Sequence, residues 1–229
     1  IDRIAEAARR FGLGSAPDIG LSGVSRGIVP DPQWKLSQYG QAWAGGETLI
    51  TAIGQGFMLT SPLQMALMTA RLASGRTVSP RLYRDQPIDR GTPLAVDPAN
   101  LALVQDALRA VVHEPGGTSH YTLGGLGIPG VEMAGKTGTA QVYSISTEER
   151  EAGIRTQDEL PWRLRDHGMF VCYAPADRPR YAVATVVEHG GGGSRAAARP
   201  ARDILRLLIE RDPAAAGPFV SVDTGREPT

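Results

Sequence analysis

Apolar side chains return every three to four residues at the start of the chain, where Ile1, Ile4, Ala5, Ala8 and Phe11 share a face until Gly12 and Gly14. That spacing predicts an amphipathic helix. A second helix is predicted over 62–74, because Ser61-Pro62-Leu63-Gln64 is a capping box with proline in the first turn and Gly75 supplies the stop. Leu63, Ala66, Leu67, Ala70 and Ala73 form its apolar stripe. A third helix follows Asp97-Pro98, with Leu101, Val104, Leu108 and Val111 in register and Gly116-Gly117 behind them. Both stripes read as core. Strand-type runs occupy about 132–143, 167–174 and 180–188, and Pro175 to Pro179 is a hairpin-sized turn, so the last two strands should be antiparallel neighbours. Gly190 to Gly193 then turns into a final helix over Ser194–Arg211 that should bury Ile204, Leu205, Leu207, Leu208 and Ile209, with Pro200 opening or kinking it. Ser15 to Gly56, rich in glycine, proline and tryptophan, reads as a long ordered loop with little regular structure, and 144–165 reads as a solvated excursion. The order of helices, three strands and a closing helix is α+β, without a repeat or an internal boundary.

Composition narrows the partners more than the fold. With 229 residues and 41% hydrophobic content the chain can build one sizeable core, or most of one. Lys plus Arg and Asp plus Glu balance at 24 each, which argues against nucleic acid as a partner. Cys172 is the single cysteine, so an internal disulfide and a cysteine-based zinc site are excluded, and its apolar neighbours predict a buried, inert thiol. No apolar run reaches the ~18 residues of a spanning helix. The chain opens at Ile1 already in helical register, which leads us to expect a preceding segment.

Candidate chemistry concentrates at Lys136-Thr137-Gly138-Thr139, which fits two unrelated catalytic loops. Counted backwards, Gly130-x-x-x-x-Gly135-Lys136-Thr137 satisfies the phosphate-cradling P-loop pattern. A P-loop needs a buried strand before it and a helix opening at the lysine. Here Leu123 to Gly130 is interrupted by glycines and Pro129, the loop interior carries Glu132, and Gly138 followed by Thr139-Ala140-Gln141-Val142-Tyr143 favours a strand. Counted forwards, Lys-Thr-Gly on a strand is the motif of penicillin-binding proteins and serine β-lactamases. On that reading Lys136 supplies a fixed cation, Thr137 packs or hydrogen-bonds, Gly138 leaves room for a close-lying substrate, and the Thr139 amide can face a developing oxyanion.

Motifs spread along the chain favour the second reading. Gly54-Gln55-Gly56, Thr60-Ser61-Pro62-Leu63-Gln64, Ala134 to Gln141, Asp166-His167 with Phe170 ahead of Ala174-Pro175, and Val186-Val187-Glu188-His189 before four glycines follow one another in order. In this the chain resembles the transpeptidase domain of class B penicillin-binding proteins, most closely the elongation-type members. The resemblance covers residues 1 to about 211 and implies a penicillin-binding protein/β-lactamase-like fold, an antiparallel sheet flanked by helices; 212–229 is expected to be a disordered tail. Two family motifs are missing. The residues three before the lysines are Pro32 and Met133, so no Ser-x-x-Lys is present, and the only asparagine, Asn100, has Pro98 two places ahead. Ser221-x-Asp223 lies in the tail and is taken as coincidental. The chain is therefore expected to be the C-terminal portion of such a domain, with its nucleophile elsewhere.

The resemblance implies a serine that attacks the D-Ala-D-Ala amide of a peptidoglycan stem peptide and an amine of a neighbouring stem that resolves the acyl-enzyme. Lys136 would assist the serine and meet the substrate carboxylate, Thr137 and Thr139 would bind that carboxylate, and the Thr139 amide would form half of the oxyanion hole. The partners implied are stem peptides, β-lactams, and, through the parent protein, a glycan polymerase and elongation-complex proteins. The implied location is the periplasmic face of the bacterial inner membrane, with the anchor outside this chain and neither cofactor nor metal. A non-catalytic penicillin-recognising or protein-binding module of the same fold is the alternative, and a P-loop nucleotide hydrolase the distant one. His167 and Cys172 have opposite parity on one strand and should not share a metal. His113 and His120 read as surface or capping residues, His189 as a strand-end residue or site edge, and Trp34 and Trp43 as groove-wall residues or, in preference, pins that hold the long loop to the core.

Overall fold

A computed structural model describes residues 1–83, 86–143, 149, 151, 153 and 155–212. The tail beyond Asp212 and residues 144–148, 150, 152 and 154 of the predicted excursion lie outside them. Helix α1, Asp2–Arg10, carries Asp2 in its first turn and Arg9 and Arg10 in its last, matching the helix dipole. Ala5 is buried and Ile1, Ile4, Ala8 and Phe11 are half-buried, the face predicted from spacing.

The segment expected to be loop contains two helices. Helix α2, Pro32–Tyr39, is capped by Asp31, whose side chain accepts from the Trp34 amide, and ends at Gly40 in the left-handed conformation. Helix α3, Gly45–Ala52, starts where the Glu47 carboxylate accepts from the Ala44 amide at 2.8 Å. Both are eight residues long and lack a clean apolar stripe, so capping residues rather than periodicity specify them. Trp34 packs with Tyr39 and Phe57 at ring-centroid separations of 5.8 and 5.3 Å, joining α2 to the residue just after the segment. The Trp43 indole donates to Thr48 within the same segment.

Helix α4, Pro62–Ser74, has the predicted bounds, capping box and Gly75 stop. Its buried side chains are Gln64, Met65, Leu67, Thr69 and Ala73, whereas Leu63, Ala66 and Ala70 are only half-buried. The face is wider than predicted because α4 is covered from two sides. The Gln64 amide nitrogen donates to the carbonyls of Ser15 and Arg26 at 3.0 and 2.9 Å, tying the preceding segment down. Helix α5, Pro98–His113, follows its Asp97 cap. Only Val112 is buried, and Leu103 and Val104 stand 68% and 43% exposed, so its stripe is not the core face expected. A short helix α6, His120–Leu123, comes next.

Three strands form one antiparallel sheet in the order β1-β2-β3: β1 is Ala134–Ala140, β2 His167–Ala174 and β3 Tyr181–Val187. The register pairs Lys136 with Val171, Thr137 with Phe170 and Thr139 with Gly168. Alternation divides β2 between two cores. Phe170, Cys172 and Ala174 pack with Leu205, Ala198, Ala201, Met133 and Val112, while Tyr173 packs with Ala134 and Ala73. The closing helix breaks at Ala197 into α7, Gly193–Ala196, and α8, Ala198–Arg211, and Pro200 lies in the first turn of α8, where a missing N–H costs nothing. Leu205 is buried as predicted, but Ile204 and Leu207 are 46% and 45% exposed. Leu205 shares its face with Ala198 and Ala201, a stripe narrowed by alanine, and Ile204 and Leu207 fall beside it.

Candidate active site

Strand β1 takes Gly135 to Thr139 through an extended conformation, with no helix opening at Lys136. The phosphate-cradling reading therefore fails, since its donors are the amides of a helix start. The start of β1 is fixed from outside the sheet. Arg109 of α5 holds Glu132 by two bonds, 2.5 and 2.9 Å, and the His113 ring meets the Met133 carbonyl at 3.0 Å. Gly135 must be glycine, because a Cβ there would stand 2.7 Å from both Phe170 Cζ and the Val171 carbonyl. Gly138 is different: its Cβ would meet nothing closer than the flexible end of Met169, at 3.3 Å.

Lys136 is exposed, and its amine reaches the Thr137 carbonyl at 2.9 Å and Thr137 Oγ1 at 3.4 Å. The only other lysine, Lys35, is buried and bound to Glu47 at 2.5 Å, so Lys136 offers the chain's one lysine amine at the surface. Next along the strand, the Thr139 carbonyl accepts a bond of 2.9 Å from Gln55 Nε2. In an extended strand a residue's N–H and C=O point the same way. The amides of Thr137 and Thr139 therefore face the same outer edge as the carbonyls that these side chains reach. Among the described residues no strand pairs with that edge.

The floor under the motif is glycine by necessity. A Cβ on Gly193 would lie 2.2 Å from the Met169 carbonyl and 2.3 Å from the Gly138 carbonyl, so α7 begins in direct contact with the motif's backbone. Beside it, Thr118 Oγ1 lies 3.1 Å from Thr137 Oγ1. In sequence Gly116-Gly117 reads as a helix stop, and no local pattern ties Thr118 to a residue nineteen positions away. Gln55 reads only as part of the Gly54-Gln55-Gly56 motif, for a similar reason.

Other candidates are structural. The His189 amide donates to His167 Nδ1 at 2.9 Å, and the His189 ring bonds the Arg165 carbonyl and packs on Trp162 and His167. His189 thus serves the strand end. Asp166 accepts from the Val142 amide and from Gln157, bracing the chain after β1. Cys172 is fully buried, and desolvation pushes its thiol up to about 12.

Comparisons with known proteins point to one family. The chain is similar to the peptidoglycan D,D-transpeptidase MrdA of Acinetobacter baumannii, 33% identical over 228 residues, covering 93% of this chain and 32% of the relative. It is similar to penicillin-binding protein PbpB of Mycolicibacterium smegmatis, 30% identical over 213 residues and covering 86% of this chain and 30% of the relative. Among solved structures it resembles Helicobacter pylori PBP2 in complex with MreC, with TM-score 0.75, 30% identity, and 92% and 36% of the two chains covered. Pseudomonas aeruginosa PBP2 in complex with WCK 5153 gives TM-score 0.71 at 33% identity over 92% of this chain and 44% of that one. The chain spans about a third of the length of the curated relatives it matches. Residues 1–206 match the penicillin binding protein transpeptidase domain, and this chain belongs to that family.

Proposed function

We propose that this chain forms the lysine-bearing wall of a peptidoglycan D,D-transpeptidase site, acting with a serine nucleophile that its 229 residues do not carry in a Ser-x-x-Lys motif. The observation that carries the reading is Lys136, the chain's one surface lysine amine, on an edge strand beside the hydroxyl of Thr137. In this reading Lys136 and Thr137 bind the terminal carboxylate of a stem peptide or β-lactam, with Thr139 completing the site. Gly138 lets the ligand backbone lie against the strand, and the Thr139 amide donates to the oxyanion that forms when the serine attacks the amide. D-alanine leaves, and the amine of a neighbouring stem takes the acyl group. The relatives named as peptidoglycan D,D-transpeptidases support this chemistry, and a solved PBP2–MreC complex supports elongation-complex partners for the parent protein. Residues 1–211 would act as the C-terminal portion of the domain, facing the periplasm.

Labelled penicillin tests the proposal. The 229-residue chain alone should show no covalent adduct by intact mass, and a stable acyl adduct would overturn the placement of the nucleophile. The longer protein that supplies a Ser-x-x-Lys segment should acylate, and Lys136→Ala in it should slow acylation by about a hundredfold. A longer protein that binds penicillin without forming an acyl bond would favour the non-catalytic module.

A further inference from the structure

Thr118 is held beside the lysine motif more firmly than a loop residue requires. Gly117 packs so closely on the end of α5 that a Cβ there would lie 2.3 Å from the Val111 carbonyl. The Thr118 carbonyl accepts from Ser194 Oγ of α7 at 2.9 Å, and that hydroxyl lies 2.9 Å from Thr122 Oγ1. These contacts fix the backbone at Thr118 and leave its exposed side chain facing Thr137 Oγ1 at 3.1 Å.

Proton counting gives this contact a direction. A threonine hydroxyl has one proton and two lone pairs. The Lys136 amine can only donate, so at 3.4 Å it occupies a lone pair of Thr137. A carboxylate can only accept, so a bound carboxylate needs the one Thr137 proton. Thr118 must then donate to the remaining Thr137 lone pair.

We infer that Thr118 is a positioning residue of the carboxylate subsite, whose hydroxyl turns the Thr137 proton toward the ligand. The inference rests on the reading that a carboxylate binds at Lys136 and Thr137. It requires a hydroxyl at position 118, not merely a side chain of that shape.

The test uses the longer, acylation-competent protein with Thr118→Val, Thr118→Ala and Thr118→Ser, and compares benzylpenicillin with its methyl ester. Stopped-flow acylation separates the apparent dissociation constant from the acylation rate constant. Thr118→Val and Thr118→Ala should each weaken benzylpenicillin binding roughly tenfold, leave ester binding within about twofold, and change the acylation rate constant little. Thr118→Ser should restore wild-type binding. Because Thr118 is exposed, all three variants should keep the wild-type unfolding temperature, and Thr118→Ala deletes the hydroxyl should the valine variant not fold. Equal losses for acid and ester, or no loss in either hydroxyl-free variant, would overturn the inference while the carboxylate reading stands. A wild-type protein and a Thr137→Val variant that both fail to prefer acid over ester would overturn the carboxylate reading and the inference together.

Discussion

Gly135 and Gly138 lie three positions apart on β1 and are glycines for different reasons. At Gly135 an added methyl has a rigid ring and a backbone carbonyl in its way, both 2.7 Å from the Cβ position. Gly135→Ala should cost about 1–3 kcal/mol of stability, measured by chemical denaturation. Gly138→Ala has only the Met169 side chain to displace and should cost less than about 1 kcal/mol, yet it should slow acylation of the longer protein if ligand lies against the strand. A neutral folded effect with a functional loss would separate the two roles. Cys172 gives a second check on the core. Its thiol, pushed up to about 12 by burial, should stay silent to Ellman's reagent at pH 8 in the native protein and react fully in guanidinium. The motif itself was legible in the sequence because four consecutive residues carry it. The difference between its glycines was not, because it depends on what stands across the strand.

The α2–α3 pair shows how an element can exist without a hydrophobic stripe. One carboxylate, Glu47, caps α3 at the Ala44 amide and binds the buried Lys35 of α2 at 2.5 Å. The Lys35 bond, and then the Ala44 amide, hold the Glu47 carboxyl below its ordinary value of 4.5. Since the folded value is depressed, this contribution is fully present above about pH 4.5 and is lost as the pH falls through the lower folded value. Acid titration followed by tryptophan fluorescence in a Trp162→Phe background should show a transition below pH 4.5 that Glu47→Gln reduces, the remainder belonging to the Asp31 cap of α2. Helix α8 supplies the contrasting case. Leu205→Ala should cost about 2–5 kcal/mol because the side chain is wholly buried, whereas Leu207→Ser should cost under about 0.5 kcal/mol. Urea midpoints of the two variants decide this. Periodicity marked α8 correctly but assigned every apolar residue to its buried face. A helix buries one stripe, and which stripe depends on the sheet beneath it.

Across the molecule, the site is assembled from segments far apart in sequence. Gln55 reaches Thr139 over 84 positions, and Ser194 reaches Thr118 over 76. Gln64 anchors Ser15 and Arg26, bringing the long N-terminal segment against α4. The sequence by itself determined the α+β class, the bounds and cap of α4, the antiparallel hairpin of β2 and β3, and the family, through short motifs that follow one another in order from Gly54 to His189. Those features rest on neighbouring residues: a cap, a turn, an alternation, a short motif. Only the tertiary structure decided that α5 leaves Leu103 and Val104 in solvent, that Lys35 is consumed by Glu47, and that Thr118 stands against Thr137. These depend on which surfaces meet when the chain closes. Burial and hydrogen-bond geometry between distant segments leave no periodic trace in either segment alone.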